Sequence, residues 1–216
     1  MALAENGVRV SLLGRDPHKL AATSNLLDTP AAGSFSVDLA SASQVRRFAR
    51  QFSAACSGLD GLVHAAGVFH RDLIGNLPPD VAPRLAADAC GPLLLTSALL
   101  PQLRRAQGDV IFVNSSIALR GGAGLAEYSM SKAAIHALAE SLRAEENACG
   151  LRVTSVYVGR TATPMQEQVA RAEGHAYHPE CLLPPEDVAA AIVSTVMLPH
   201  SAEVTDLHIR PWTRPT

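Results

Sequence analysis

Lysine, aromatic residues and cysteine are all scarce in this chain of 216 residues. Lysine occurs only at Lys19 and Lys132, against sixteen arginines, and aromatic residues make up 4% of the sequence. The cysteines are widely separated and include no C-x-x-C pair, so we expect reduced thiols, a cytoplasmic protein and no metal site. The four cysteines are Cys56, Cys90, Cys149 and Cys181.

Long apolar runs and strong net charge are also missing. The longest apolar candidate, residues 92–100, is short and bounded by prolines, so it predicts a buried helix rather than a membrane span. The formal net charge is −2 and no basic stripe occurs, which argues against a nucleic-acid partner. The start of the chain has no basic segment before an apolar core and therefore does not resemble a secretory signal.

What the chain does contain is an alternation of short apolar runs with helix patterns. The run from Val110 to Val113 predicts a strand that is buried on both faces. The alternation predicts an α/β fold, with one Rossmann-like domain over residues 1–216 and a doubly wound parallel sheet between two helical layers. Residues 162–183 form the one long irregular segment, which predicts a lid. The predicted strands cover residues 8–13, 35–37, 62–67, 110–113, 153–158 and 204–209.

Tyr128 and Lys132 are the strongest candidates for chemistry. They lie one turn apart in the helix predicted from residue 128, so the phenol and the ammonium project from the same face. A free phenol has a pKa of about 10, and a fixed cation nearby favours phenolate. We therefore expect Lys132 to lower the pKa of Tyr128. The alternative is an aromatic residue at a helix start, with a solvated lysine one turn later.

Other distinctive residues follow the predicted strands. In a doubly wound sheet, ligands bind at the carboxyl ends of the strands, so residues that follow different strands meet at one edge. Each motif alone is a common turn, and only their joint placement indicates a site. In chain order, the motifs are Gly14-Arg15, Asp38-Leu39, Ala65-Ala66-Gly67, Ser115-Ser116 and the segment from Gly159 to Thr163.

With these motifs the chain resembles the short-chain dehydrogenases/reductases over essentially its whole length. The family's serine usually precedes its tyrosine by thirteen residues, which selects Ser115 and keeps Ser116 in reserve. The resemblance implies that Tyr128 exchanges a proton with the reacting oxygen and that Ser115 hydrogen-bonds this oxygen. Lys132 would lower the pKa of the tyrosine and bind the nicotinamide ribose. Asp88 stands where the family commonly has an asparagine that supports a proton relay.

The resemblance also implies a nicotinamide cofactor and a small carbonyl or alcohol substrate. Arg15, after the first strand, matches the family's NADP pattern because a guanidinium suits a phosphate, so NADP is expected ahead of NAD. Asp38 corresponds to a residue near the adenine and Thr163 to one near the nicotinamide amide. The family implies a homodimer or homotetramer. The remaining expected cofactor-binding residues are Leu39, Ala66, Gly67, Tyr128 and Lys132.

One departure from the family is large. Residues 1–7 look like the end of a helix, so the family's first strand and its glycine-rich phosphate turn are not found ahead of it. We expect an N-terminally truncated sheet whose neighbouring strands keep unpaired backbone groups and an exposed apolar face. The alternative function is therefore a truncated chain or pseudo-enzyme that binds no cofactor and acts through protein partners, if at all.

Overall fold

The structure, a computed structural model, describes residues 1–27 and 30–212, so the last four residues of the predicted domain lie outside it. Within these ranges, strands and helices alternate, which confirms the predicted α/β fold. The strands are β1 (Ser11–Gly14), β2 (Gly33–Ser36), β3 (Gly61–His64), β4 (Asp109–Ser115), β5 (Arg152–Val158) and β6 (Asp206–Ile209). The α-helices are α1 (Ala2–Glu5), α2 (Pro17–Ser24), α3 (Ala42–Ala55), α4 (Val81–Leu85), α5 (Gly91–Ala106), α6 (Ala126–Glu146), α7 (Pro164–Glu173) and α8 (Pro185–Val196).

All strand pairs are parallel, but they form two sheets. One sheet has the order β1-β2 and the other has the order β3-β4-β5-β6. Among the described residues, β1 and β3 are each paired on one side only, and Val63 on β3 is 37% exposed. The gap that the sequence predicts in the sheet therefore lies between β1 and β3.

The four-stranded sheet carries apolar side chains on both faces. Val110 and Phe112 on β4 contact a cluster that includes Leu103 of α5 and Ile135 of α6. Ile111 points to the opposite face, where it meets Ile192 and other residues of α8. Each fully buried side chain of this size stabilises the fold by about 2 kcal/mol, so helices are held against both faces. These contacts give the predicted three layers.

Helix α5 joins the two sheets. Its Leu95 and Leu99 lie in the apolar cluster that includes Phe48 and Phe52 of α3 and is contacted by Leu13 of β1. Leu103, one turn further on, belongs to the cluster under the four-stranded sheet. The same helix therefore packs under both sheets.

Two helical segments differ from expectation. The sequence predicts a helical region over about residues 79–103 with an interruption near Gly91-Pro92, and the structure places this interruption slightly earlier, where a π-helical turn at Ala86–Cys90 separates α4 from α5. The predicted irregular segment 162–183 contains the ten-residue helix α7. This helix forms because Thr163 caps its first turn, Pro164 occupies the first helical position and Gly174 takes a left-handed φ of 73° after its last residue. In the part of the chain that the structure describes, no helix is long and apolar enough to cross a membrane.

Candidate active site

The site is built where β4 ends and α6 begins. Asn114 at the end of β4 links the two elements, since its side-chain NH₂ donates to the Lys132 carbonyl at 3.2 Å. The side-chain oxygen of Asn114 accepts the backbone N–H of Ser115 at 2.8 Å. This buried amide therefore fixes the helix that carries Tyr128 and Lys132 against the strand that carries Ser115.

Tyr128 lies mostly buried, with its ring edge-on to Phe69 at a centroid distance of 5.3 Å. Burial raises the pKa of Tyr128 above 10.0, a hydrogen bond with Ser115 opposes the rise, and the Asp88 carboxylate adds to it. The expected net lowering by Lys132 is therefore wrong for this structure. The physical reason is that removing the phenol from water penalises phenolate more than its polar neighbours favour it.

Lys132 is also removed from water. Its ammonium donates to the Val113 carbonyl at 3.2 Å and lies 5.8 Å from the centroid of the Tyr128 ring. Burial lowers the pKa of Lys132, and Asp88 partly offsets this change. Burial thus shifts the pKa values of the lysine and of the tyrosine towards their neutral forms.

Asp88 lies in the π-helical turn and connects the loop after β3 to Lys132. Its carboxylate accepts the backbone N–H of Val68 at 3.0 Å. Burial raises the pKa of Asp88, while the Val68 hydrogen bond and Lys132 lower it. A Cβ on Gly67 would lie 3.7 Å from the Lys132 nitrogen and 4.0 Å from an Asp88 oxygen. The structure therefore brings Gly67, Asp88 and Lys132 together.

The two candidate serines occupy different positions. Ser115 ends β4, is half-buried, and lies near enough to Tyr128 to oppose the rise in the tyrosine pKa. Ser116 begins a short 3-10 helix and is exposed. Of the two serines, Ser115 is the one that acts on the pKa of Tyr128, and it is also the one that the thirteen-residue spacing selects.

The other expected cofactor residues lie at the same edge but in separate loops. Exposed Arg15 follows β1, and Asp38 turns the chain after β2 by accepting the Ala40 N–H at 3.1 Å. Leu39 packs so closely on α5 that a Cβ at Gly91 would lie 2.7 Å from the Leu39 Cβ. The remaining expected residues are exposed Ala66, after β3, and Thr163, whose hydroxyl accepts the Gln166 N–H at 3.2 Å as the cap of α7.

The expected cofactor-binding residues fall into two groups. Arg15 and Asp38 follow the two strands of the smaller sheet, whereas Lys132 and Tyr128 lie beside the larger one. Ala65 and Ala66 after β3 are small and exposed. No glycine-rich turn is present in the described residues ahead of β1.

Several residues of the site lack a local sequence signal. Arg84 of α4 binds Glu127, the residue before Tyr128, and is 43 positions away from it. Glu173 at the end of α7 accepts hydrogen bonds from Arg71 and Arg160, which follow β3 and β5. Asn114 could have been singled out, because it directly precedes Ser115 at a predicted strand end.

Metal-binding side chains are not grouped here. In residues 1–27 and 30–212, no three or more His, Cys, Asp or Glu side chains lie together in a way that could hold a metal ion.

The chain belongs to the short chain dehydrogenase family, whose sequence model matches residues 1–174. A glycine betaine reductase of Emericella nidulans is 30% identical over 225 residues, which cover 99% of this chain and 18% of that protein. An uncharacterized oxidoreductase of Myxococcus xanthus is 35% identical over 163 residues, covering 73% of this chain and 64% of that protein. The chain thus spans less than two thirds of the length of both relatives.

A solved structure has the same fold. A metagenomic short-chain oxidoreductase, crystallised in complex with NADP, superposes with a TM-score of 0.81 and 26% identity. The superposition covers 98% of this chain and 90% of that one. Family and fold together identify the chain as a member of the short chain dehydrogenase family, with a Rossmann-like fold.

Proposed function

We propose that this chain transfers hydride between NADP and the carbonyl or hydroxyl carbon of a small molecule, with Tyr128 as the acid–base group. The observation that carries the proposal is the convergence of Ser115, Tyr128 and Lys132 at the carboxyl edge of the sheet. A bound nicotinamide supplies the hydride, which no side chain can provide. The side chains of the protein supply the proton and hold the reacting oxygen.

In the direction of carbonyl reduction, negative charge develops on the substrate oxygen. Ser115 donates a hydrogen bond to that oxygen, and Tyr128 donates its proton to it. The phenol carries its proton at neutral pH, as a donor must, and the raised pKa of Tyr128 leaves this state unchanged. Lys132 binds ribose hydroxyls, and Asp88 holds the loop after β3 beside Lys132 through its bond to the Val68 N–H.

Arg15 supports NADP over NAD. Its guanidinium is exposed after β1, and the described residues provide no carboxylate that pairs with it. A guanidinium in that position suits the additional phosphate of NADP. The NADP complex of the 26% identical oxidoreductase supports the same choice. The homodimer or homotetramer and the cytoplasmic location stay predictions.

Substitution of the tyrosine tests the proposal. NADPH oxidation is followed over a panel of small aldehydes and ketones, and NADH is expected to be oxidised more slowly. We expect Tyr128→Phe to lower kcat by about a hundredfold or more, because proton donation by a positioned side chain contributes about 10²- to 10⁴-fold. Equal rates for the wild type and Tyr128→Phe would refute the assignment.

Tyr157→Phe is the matched control. Tyr157 is also buried. Its hydroxyl lies 2.7 Å from a ring nitrogen of His136, and His136 lies on α6 two turns beyond Tyr128. This variant loses a phenol hydroxyl without losing the proposed acid and should keep its rate within about threefold of the wild type. A wild-type chain that neither binds NADPH in a fluorescence titration nor oxidises it would favour the alternative of a pseudo-enzyme.

A further inference from the structure

Arg84 on α4 lies at the centre of a cluster next to the proposed acid. Its guanidinium binds both carboxylate oxygens of Glu127, at 3.0 and 2.7 Å. It also donates to Asp72 at 3.0 Å and lies 3.3 Å from the His70 ring nitrogen and 3.5 Å from an Asp80 oxygen. The side chain of Arg84 is 17% exposed and that of Glu127 is 8% exposed. A bidentate ion pair that is so little exposed to water fixes the orientation of both side chains.

The partners of Arg84 connect directly to the segment that carries Tyr128. Glu127 is the residue before Tyr128, and His70 is the residue after Phe69, whose ring touches the phenol. Asp72 forms a parallel bridge with Leu125, and its N–H donates to the Gly124 carbonyl at 3.1 Å. Arg84 therefore ties the loop after β3 to the first turn of α6.

The first turn of α6 depends on this pair because it lacks a usual cap. Leu125 occupies the N-cap position and makes no side-chain hydrogen bond to the helix. An uncapped helix start frays more readily than a capped one. Glu127 supplies a negative charge to this turn, which the helix dipole favours, and Arg84 holds that carboxylate in place.

The same pair is coupled to the charges of the site. The negative charge of Glu127 raises the pKa of Asp88, and Lys132 and His70 lower it. Hydrogen bonding to Glu127 raises the pKa of Arg84, which therefore remains a guanidinium. The charged or titratable groups around Tyr128 are Asp88 and Lys132 in the site, and His70, Asp72, Asp80, Arg84 and Glu127 in the cluster.

We propose that Arg84 is a positioning residue for the acid–base centre, which orients Tyr128 through Glu127 and offsets the charge of that carboxylate. The inference rests on the proposed function of Tyr128. It goes beyond that function because Arg84 touches neither Tyr128 nor Lys132 in the described contacts. Its effect passes through the backbone of α6 and through the local electric field.

The chain contains a matched control at the other end of α6. Arg104 binds both oxygens of Glu146 at 2.7 and 2.6 Å, and the Glu146 side chain is 3% exposed. The two pairs have the same bidentate chemistry and both hold α6. They are separated by nearly the whole helix of 21 residues, a length of roughly 30 Å at about 1.5 Å per residue. This separation exceeds the Debye length of about 8 Å in physiological salt.

The experiment compares Arg84→Gln with Arg104→Gln. We expect Arg84→Gln to lower kcat by about ten- to a hundredfold with little change in KM, because a small displacement of a catalytic group has effects of this size. It should also move the pH dependence set by Tyr128 upwards, since removal of a positive charge disfavours phenolate. Arg84→Lys keeps the charge and should restore the pH dependence, but only part of kcat. Arg104→Gln should leave kcat within about twofold of the wild type.

Spectroscopic titration of the tyrosines provides a readout that needs no turnover. The absorbance change of Tyr128 is obtained as the difference between each protein and its Tyr128→Phe counterpart. The pKa of Tyr128 should be higher in Arg84→Gln than in the wild type and unchanged in Arg104→Gln. If both variants reduce kcat equally, or if the titration of Tyr128 does not move in Arg84→Gln, the inference is overturned. If the wild type lacks Tyr128-dependent activity, only the proposed function fails, and the titration still decides the role of Arg84.

Discussion

Burial is the largest cause of the pKa shifts of the titratable side chains along the carboxyl edge of the sheet. It raises the pKa of Tyr128 and of Asp88 and lowers that of Lys132, so in each case the neutral form gains. His64, at the end of β3, follows the same rule. Its ring stacks on Phe112 at 4.9 Å, and one ring nitrogen lies 2.8 Å from the Thr96 hydroxyl. Burial lowers the pKa of His64 from 6.5 to about 4.

This shift predicts a loss of stability in acid. Between the unfolded pKa of 6.5 and the folded pKa of about 4, the unfolded chain binds more protons, so stability falls as the pH falls. His64 should therefore contribute a loss of about 2 to 3 kcal/mol between about pH 7.5 and about pH 4.5, at 1.36 kcal/mol per pKa unit. Urea unfolding of the wild type and His64→Asn at both pH values measures it, since the difference between the two proteins should shrink in acid.

The control for this measurement is His18→Asn, because His18 is exposed on α2. Its stability should follow that of the wild type at both pH values. If His64→Asn loses as much stability in acid as the wild type does, another group is responsible for the loss.

At the scale of residues, the sequence predicted which side chains lie together more accurately than it predicted the direction of their pKa shifts. Helix geometry alone predicted that Tyr128 and Lys132 share one face, whereas the choice of Ser115 depended on the resemblance to the family. The predicted direction of the Tyr128 pKa shift was wrong, because the sequence does not show how much water reaches the phenol. The pair of Arg84 and Glu127 was missed because it joins residues that are far apart in the chain.

At the scale of elements, one carboxylate ties the C-terminal end of α7 to neighbouring loops. Glu173, its last residue, accepts hydrogen bonds from Arg71 at 3.1 Å and from Arg160 at 2.7 Å. Arg71 also packs over Gly124, where a Cβ would lie 3.2 Å from its side chain. Loops after β3 and β5 and the loop before α6 therefore meet at the end of the predicted lid.

Glu173→Gln should loosen the lid without unfolding the protein. The variant loses two charge-assisted hydrogen bonds, each partly exposed and together worth about 1 kcal/mol or less to global stability. We expect thermolysin to cleave residues 162–183 several-fold faster, while the urea midpoint changes little. The control is Glu167→Gln, because Glu167 pairs with Arg171 inside α7 and, in the described residues, forms no ion pair outside this helix. Equal cleavage rates in the two variants would show that Glu173 does not hold the lid.

The predicted lid also shows how far sequence markers of helices and strands predict the elements. Thr163, Pro164 and Gly174 are ordinary markers of a helix start and end, yet the polar composition between them led to the prediction of an irregular segment. The strands were predicted more reliably, since β4 contains the continuous apolar run from Val110 to Val113 and β5 is rich in β-branched residues. The division between α4 and α5 at the π-helical turn had no such marker beyond the predicted interruption near Gly91 and Pro92.

At the scale of the whole molecule, the break between β1 and β3 divides the fold into two unequal parts. The central strands of the larger sheet, β4 and β5, are buried between α6 and α8 and pair on both sides. The smaller sheet relies on α3 and α5, mainly through the contacts of Phe35 with Phe48 and Phe52. We therefore expect the smaller sheet to open before the larger one.

Amide hydrogen exchange tests this order of opening. Amides of β1 and β2 should exchange through openings that cost less free energy than those of β4 and β5, because a two-stranded sheet is marginal on its own. Phe48→Ala should accelerate exchange mainly in β1 and β2, since such a truncation costs about 3 to 5 kcal/mol in a packed cluster. Ile192→Ala, which removes a contact of α8 with the larger sheet, is the control and should accelerate exchange mainly in β4 and β5. If each variant accelerates exchange in both sheets to the same extent, the two sheets open as one unit, and the packing of α5 under both of them outweighs the break between β1 and β3.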